Sequence, residues 1–321
     1  MTPDCLLQQW TAMVRIRLAE EAVARMVESG EARCPCHLYI GQEAIASGVC
    51  TALGLSDTVW GGHRSHGHYL AKGGSLYGLF AEILGKTAGC SGGRGGSMHL
   101  LSREHGILGT VPIVAATVPL AVGAAMAYKI RREARVAVAF FGDGTLEEGH
   151  VHESLNLAAL YRLPVVFICE NNLYSSHLHW TERRVLNNLY QAGDFHSVPG
   201  QRVDGNDVEA VFQAASFAVA RARAGDGPSF LECRTFRWRG HVGASSDIDV
   251  GVKRRGELAD WLPRDPIARA AQRLRECGYE NLDHGALLEE VNSALDAARN
   301  AALPPAARVL ENVYAEAACA G

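Results

Sequence analysis

Residues 135–172 read RVAVAFFGDGTLEEGHVHESLNLAALYRLPVVFICENN, and the fold is decided there. Arg135 to Phe141 is a short apolar run rich in Val and Phe that ends in Gly142-Asp143-Gly144, the pattern of a buried strand. From Glu147 to Arg162 the spacing turns helical, with Val151, Leu155, Ala158 and Ala159 on one face and Glu148 and Glu153 elsewhere. Pro164 ends that helix, and Val165 to Cys169 forms a second buried strand closed by Glu170-Asn171-Asn172. Strand, crossover helix, strand is a parallel βαβ unit.

Working outward, residues 4–29 predict a helix, with Val14, Leu18, Ala22 and Met26 recurring every fourth position and Gly30 as its stop. Glycine is dense between 41 and 109, interrupted by short helical runs such as Tyr77–Leu84. After Pro119, the small residues from Leu120 to Ala127 predict a closely packed helix, and Pro228 to Phe236 predicts a further strand. From Asp265-Pro266 the chain turns to alanine-rich helix, with Asp265 as N-cap, Pro266 at the first helical position and Gly278 as a stop. No repeat of 20–50 residues exists, which excludes a solenoid. The expectation is an α/β fold, a mostly parallel sheet flanked by helices over residues 1–262, with 263–321 as a helical C-terminal extension of the same domain.

Composition narrows the function classes. The 321 residues are 48% hydrophobic and 21% charged, as in globular proteins. Lys and Arg total 31 against 35 Asp and Glu, a formal charge of -4, so a nucleic-acid partner is disfavoured. Nine cysteines without regular spacing suit a reducing compartment rather than a disulfide framework. The first residues lack a secretory layout, and Pro112 and Pro119 interrupt the apolar stretch from Val111 to Ala127. The expectation is a cytoplasmic chain with no membrane association.

The chemistry follows from the βαβ unit. Asp143 and Asn171-Asn172 each lie just past the end of a parallel strand, so they emerge at one sheet edge, where open α/β folds bind ligands. Gly142 and Gly144 allow close backbone approach, and helix N-terminal amides favour an anionic diphosphate. A carboxylate, an amide oxygen and backbone carbonyls are hard donors suited to Mg2+ that also touches phosphate.

Gly-Asp-Gly, then 26 residues (145 to 170), then Asn-Asn matches the thiamine diphosphate fingerprint, and the match extends further. CHLYIGQEA (36–44), HRSHGH (63–68), GGRGGSMH (92–99), TVPLAVGAA (117–125), GDGTLEEG (142–149), ENNLY (170–174), RVDGND (202–207) and RWRGH (237–241) follow in order. Over nearly its whole length the chain resembles the alpha subunit of the thiamine-dependent 2-oxo acid dehydrogenase first component, the group containing pyruvate, branched-chain and acetoin dehydrogenases. The resemblance implies thiamine diphosphate and Mg2+ as cofactors. It implies Asp143, Asn172 and the Tyr174 carbonyl as metal ligands, and Gly142, Gly144 and Thr145 beside the diphosphate. His63 and Arg64 match a Tyr-Arg pair that clamps the diphosphate, and Pro112 and Val114 match backbone positions at the aminopyrimidine ring. His241 matches a loop histidine that reaches the cofactor, and His37 one placed near the reacting carbonyl; these two are the candidate catalytic residues.

Three positions depart from that pattern. His63 replaces a frequent Tyr, Pro112 a glycine, and Val242 the serine that mitochondrial members phosphorylate. The glutamate that activates the ring belongs to a separate pyrimidine-binding domain in this family, so a beta subunit is the implied partner. The implied activity is decarboxylation of a small 2-oxo acid or cleavage of an acyloin, with acyl transfer to a lipoyl-bearing acyltransferase. A biosynthetic thiamine-dependent carboligase is the alternative.

Other motifs carry weaker signals. His63, His66 and His68 form H-x-x-H-x-H, which in another class would be a zinc hydrolase, but Arg64 between them repels a cation and no downstream ligand set follows. His66 and His68 are expected to be hydrogen-bonded loop residues. Cys34-Pro35-Cys36 is expected to be a plain thiol pair, and 92–96 a tight loop under the site. Residues 175–200 are expected to be a mobile loop over the site.

Overall fold

The computed structural model describes residues 1–32, 34–185, 187–246, 254–307 and 311. In chain order the helices are α1 (Pro3–Glu28), α2 (Glu43–Thr51), α3 (His66–Ala71), α4 (Leu76–Ile83), α5 (Thr117–Arg131), α6 (Gly149–Leu160), α7 (Gln191–Phe195), α8 (Val208–Arg223), α9 (Arg254–Trp261), α10 (Pro266–Glu276) and α11 (Gly285–Asn300). The strands are β1 (Thr58–Gly61), β2 (Ile107–Thr110), β3 (Ala137–Gly142), β4 (Val165–Asn171), β5 (Tyr174–Ser175), β6 (Leu178–His179), β7 (Gly200–Asp204) and β8 (Ser229–Arg234).

Six strands form one parallel sheet in the order β2-β1-β3-β4-β8-β7. The stretch that opened the sequence reading supplies its centre: β3 and β4 pair from Ala137 opposite Val165 to Gly142 opposite Glu170. Side chains of a strand alternate between faces, and both faces here are apolar. Ala137, Ala139 and Phe141 pack with Val118, Val122 and Val151 of α5 and α6. Val138 and Phe140 pack with Ile45 and Val49 of α2 and Val211 and Ala215 of α8. A strand covered on both sides reads as an unbroken apolar run, which explains RVAVAFF and VVFIC.

The ends of elements sharpen the expectations. The helix of residues 4–29 is α1, with Thr2 as its N-cap accepting from the Cys5 amide. Asp265 caps α10 through the Ile267 amide, and Gly278 follows that helix at φ +93°, a left-handed value that favours glycine. The helix expected from Glu147 begins only at Gly149, because Asp143–Glu147 first winds into a 3₁₀ turn and Glu148 is extended. Helices α10 and α11 pack on α1, and α4 packs on α11, burying Trp10, Met13 and Leu274 in one cluster and Phe80, Val291 and Leu295 in another. No helix among the described residues is long and apolar enough to cross a membrane.

Candidate active site

Strand order places the site. From β1 the chain moves outward to β2, whereas from β3 it moves the opposite way to β4. A crevice opens where the strand order reverses, at the C-terminal ends of β1 and β3. His63 and Arg64 follow β1, Pro112 and Val114 follow β2, Gly142 to Thr145 end β3, and Asn172 and Tyr174 follow β4. With His37 and His241 from loops before α2 and after β8, these twelve residues line one cavity. Positions spread over more than 200 residues of sequence thus meet in one place.

One end of the cavity is an oxygen-rich anchor. The Asp143 carboxylate is buried and ion-paired with Arg183, whose guanidinium also pairs with Glu147. Arg184 donates to the Asp143 carbonyl. Burial pushes the Asp143 carboxyl above its ordinary value, and the two arginines oppose that rise. The Asn172 side chain accepts from the Tyr174 amide at 3.3 Å and donates to Gln42 Oε1 at 3.1 Å. The Tyr174 hydroxyl donates to Glu257 at 2.7 Å. A Cβ on Gly144 would lie 2.4 Å from Ser175 Oγ, so only glycine lets the 3₁₀ turn pass beneath the segment that follows β4. The residues that line the cavity here belong to the end of β3 and this turn, and none belongs to α6.

The same cavity holds an imidazole cluster. Ring centroids of His37 and His63 lie 4.6 Å apart, His37 and His241 5.0 Å, and His63 and His241 5.3 Å. Burial, reinforced by the Arg64 charge, pushes His37 down to about 3 and His63 down to about 2, so both rings are neutral at ordinary pH. Arg64 donates to the carbonyls of Leu38 at 2.6 Å and His241 at 3.0 Å, tying both loops to the end of β1. The Gly243 amide also donates to the Cys36 carbonyl at 2.8 Å, joining the His241 loop to the His37 segment.

Several groups on or near this cavity carried no clear sequence signal. Glu170, at the end of β4, lines it and accepts from Tyr39 Oη and His68 Nε2, the latter at 2.9 Å. Arg183 lies in the stretch expected to be a loop over the site, which instead contains the β5–β6 hairpin, a 3₁₀ turn and α7. His66 and His68 are hydrogen-bonded as expected, but they sit in α3 rather than in a loop. His66 is bound by Glu20 at 3.1 Å and Ser97 at 2.7 Å, so the H-x-x-H-x-H zinc reading fails: its last two imidazoles are already engaged. The thiols of Cys34 and Cys36 lie 3.9 Å apart, and the eight described cysteines are free. The glycine loop at 92–96 is organised by the buried Glu82 carboxylate, which accepts from the amides of Ser91, Gly93, Gly95 and Gly96.

Comparison with known proteins shows the family. The profile of the dehydrogenase E1 component family matches residues 11–305. The chloroplastic pyruvate dehydrogenase E1 component subunit alpha-3 of Arabidopsis thaliana is 38% identical, over 97% of this chain and 74% of its own length. The pyruvate dehydrogenase E1 component subunit alpha of Rhizobium meliloti is 41% identical, over 86% of this chain and 79% of its own. The alpha subunit of the acetoin:2,6-dichlorophenolindophenol oxidoreductase of Bacillus subtilis is 36% identical, over 98% of this chain and 95% of its own. The chain belongs to the dehydrogenase E1 component family, as an alpha subunit of a thiamine diphosphate-dependent oxidoreductase.

Proposed function

We propose that this chain anchors the diphosphate end of thiamine diphosphate through Mg2+ and works with a beta subunit on a small 2-oxo acid or acyloin. The carrying observation is the convergence of the twelve motif residues on one cavity at the reversal of strand order. The donor set fits the metal: the buried Asp143 carboxylate already has a cationic guanidinium beside it, so the position favours positive charge. Asp143, Asn172 and the Tyr174 carbonyl would hold Mg2+, while Gly142, Gly144 and Thr145 would face the phosphates and His63 and Arg64 would flank them. Pro112 and Val114 would meet the aminopyrimidine ring. When bound, the cofactor supplies a nucleophilic thiazolium carbon and accepts the electron pair released at the substrate carbonyl. His37, buried, and His241, half-buried beside it, would move protons at that carbonyl.

A second chain is supported by the rim. Ile113 and Val114 both line the cavity, yet they are 70% and 46% exposed, and Leu120 and Ile130 continue an exposed apolar face along α5. Covering that face with a beta subunit would close the cavity over the ring. Relatives named as pyruvate dehydrogenase and acetoin oxidoreductase subunits favour an oxidative outcome, and the carboligase reading gains no support from them; a lipoyl-bearing acyltransferase is the acyl acceptor in this reading. Free, irregularly spaced cysteines support a cytoplasmic location.

The test is to assay the chain alone, and then with its beta subunit, on pyruvate, longer 2-oxo acids and acetoin with an artificial electron acceptor. Activity is expected only from the pair. Full activity of the chain by itself would refute the shared site.

A further inference from the structure

We propose that Cys34 and Cys36 form an oxidisable thiol pair: a small hydroperoxide reacts at Cys34, and Cys36 resolves the product into an intrachain disulfide. Both thiols are free, and their sulfurs lie 3.9 Å apart across one intervening residue, Pro35. A disulfide needs about 2.05 Å between sulfurs, an approach that rotation about the two Cα–Cβ bonds supplies. Cys34 Sγ also lies 3.8 Å from the Ile83 carbonyl oxygen, and Cys36 Sγ 3.4 Å from that of Cys34. A thiol is a weak donor, so these contacts do not hold the pair apart.

The two thiols differ in access, and that sets their order. Cys34 is half-buried, whereas Cys36 is 1% exposed. Gly96 lies against Cys34, and a Cβ there would stand 3.3 Å from its Sγ, so glycine keeps that side of the thiol clear. Hydrogen bonding to Cys36 holds the Cys34 thiol below its ordinary value, and the same bond, with burial, pushes Cys36 up. The thiolate is the nucleophile. Attack therefore starts at the reachable sulfur, and the enclosed one follows.

In the first step the Cys34 thiolate attacks one oxygen of hydrogen peroxide, the O–O bond breaks and hydroxide leaves, giving a sulfenic acid. In the second, the Cys36 sulfur attacks the Cys34 sulfur, the S–O bond breaks, and the oxygen leaves as water with the Cys36 proton. The two thiols lose two electrons, and one peroxide is reduced to water. Closing so short a loop removes little chain entropy, which leaves the bond open to reduction by thiols. His37 directly follows Cys36, whose carbonyl accepts from the Gly243 amide at 2.8 Å, so the bond forms in the segment that carries a candidate catalytic imidazole. That consequence rests on the proposed function; the bond itself does not.

The experiment exposes the reduced 321-residue chain to hydrogen peroxide, unfolds it, alkylates the remaining thiols and maps the tryptic peptides. Trypsin cuts after Arg33 and Arg64, releasing one peptide with Cys34, Cys36 and Cys50. The expected peptide is alkylated only at Cys50, is lighter by two hydrogens, and takes up alkyl groups at all three after dithiothreitol. In the native chain Cys34 should react at least about tenfold faster than the exposed Cys277, and in urea that advantage should vanish. Cys36→Ser should accumulate a sulfenic acid at Cys34 that dimedone traps, and Cys34→Ser should leave Cys36 reduced. Native far-ultraviolet dichroism establishes that each variant is folded. Alkylation of both Cys34 and Cys36 after Cys277 has been oxidised would overturn the pair. So would a disulfide from either thiol to another cysteine, or the same rate advantage in urea, which would remove the fold from the argument. None of these measurements needs thiamine diphosphate or a beta subunit, so failure here is distinguishable from failure of the proposed function.

Discussion

Arg183, from the segment after the β5–β6 hairpin, forms a buried ion pair with Asp143 at the end of β3. Its side chain is 6% exposed and that of Asp143 2%. The carboxylate proposed for magnesium therefore has its Oδ2 engaged by a guanidinium, and a divalent ion entering this site would compete with it. Removing one partner of such a pair would leave a charge uncompensated, so displacement and metal entry are one exchange.

Arg183→Gln is accordingly expected to tighten Mg2+ binding at pH 8 by about tenfold, since a charged hydrogen bond contributes about 1.5–3 kcal/mol. Calorimetric titration of Mg2+ with thiamine diphosphate present reads this directly. A weaker affinity would instead make Arg183 a ligand of the bound diphosphate.

Asp143→Ala removes the only charged ligand assigned to the ion and should abolish magnesium-dependent cofactor binding. Asn172→Ala removes a neutral oxygen and should weaken it less. Titrating the assembled enzyme with thiamine diphosphate and Mg2+ checks the order, and normal affinity in the Asp143 variant would remove the metal assignment.

Arg64 and the two catalytic candidates should separate in kinetics. Arg64→Ala is expected to lose cofactor affinity more than turnover, because a phosphate clamp acts in binding. His37→Ala and His241→Ala should lose turnover more than affinity. Normal cofactor affinity in the Arg64 variant would reject the clamp.

The low proton affinity of His37 carries a pH dependence of stability. Between about pH 6.5 and its value of about 3, the unfolded chain binds a proton there that the folded chain does not. Stability therefore rises with pH across that window and is lost as the solution is acidified, by about 1.4 kcal/mol per pH unit for one such group. His66 works in the opposite sense, because its raised value makes the folded chain hold a proton more tightly. Urea unfolding at pH 5 and pH 6 should show a shallower dependence in His37→Gln than in the unaltered chain. Equal slopes would mean that His37 titrates normally in the fold.

How far the sequence could be read depended on burial. β3, β4 and β8 have both faces covered, so their apolar runs stand out, and the caps of α1 and α10 follow local backbone chemistry. β1, β2 and β7 are four, four and five residues long, and TVWG and ILGT lack any period that separates them from loop. The cavity was legible at Gly-Asp-Gly and Asn-Asn, which end adjacent parallel strands and so emerge at one sheet edge. Arg183 and Glu170 were not, because each depends on a partner far away in sequence, and the role of Glu82 was not, because it binds backbone amides, which leave no side-chain pattern.

Glu82 has a consequence for how glycine-rich runs are interpreted. Four amides of the 91–96 loop converge on its carboxylate, so the positive pole that such a loop offers is neutralised from within the protein. The segment resembles a phosphate grip but is already closed around an internal anion. Its glycines thus fasten helix α4 to the neighbouring loop, a rivet rather than a receptor. A Glu82→Gln change would turn one acceptor oxygen into a donor facing those same amides and would loosen that rivet.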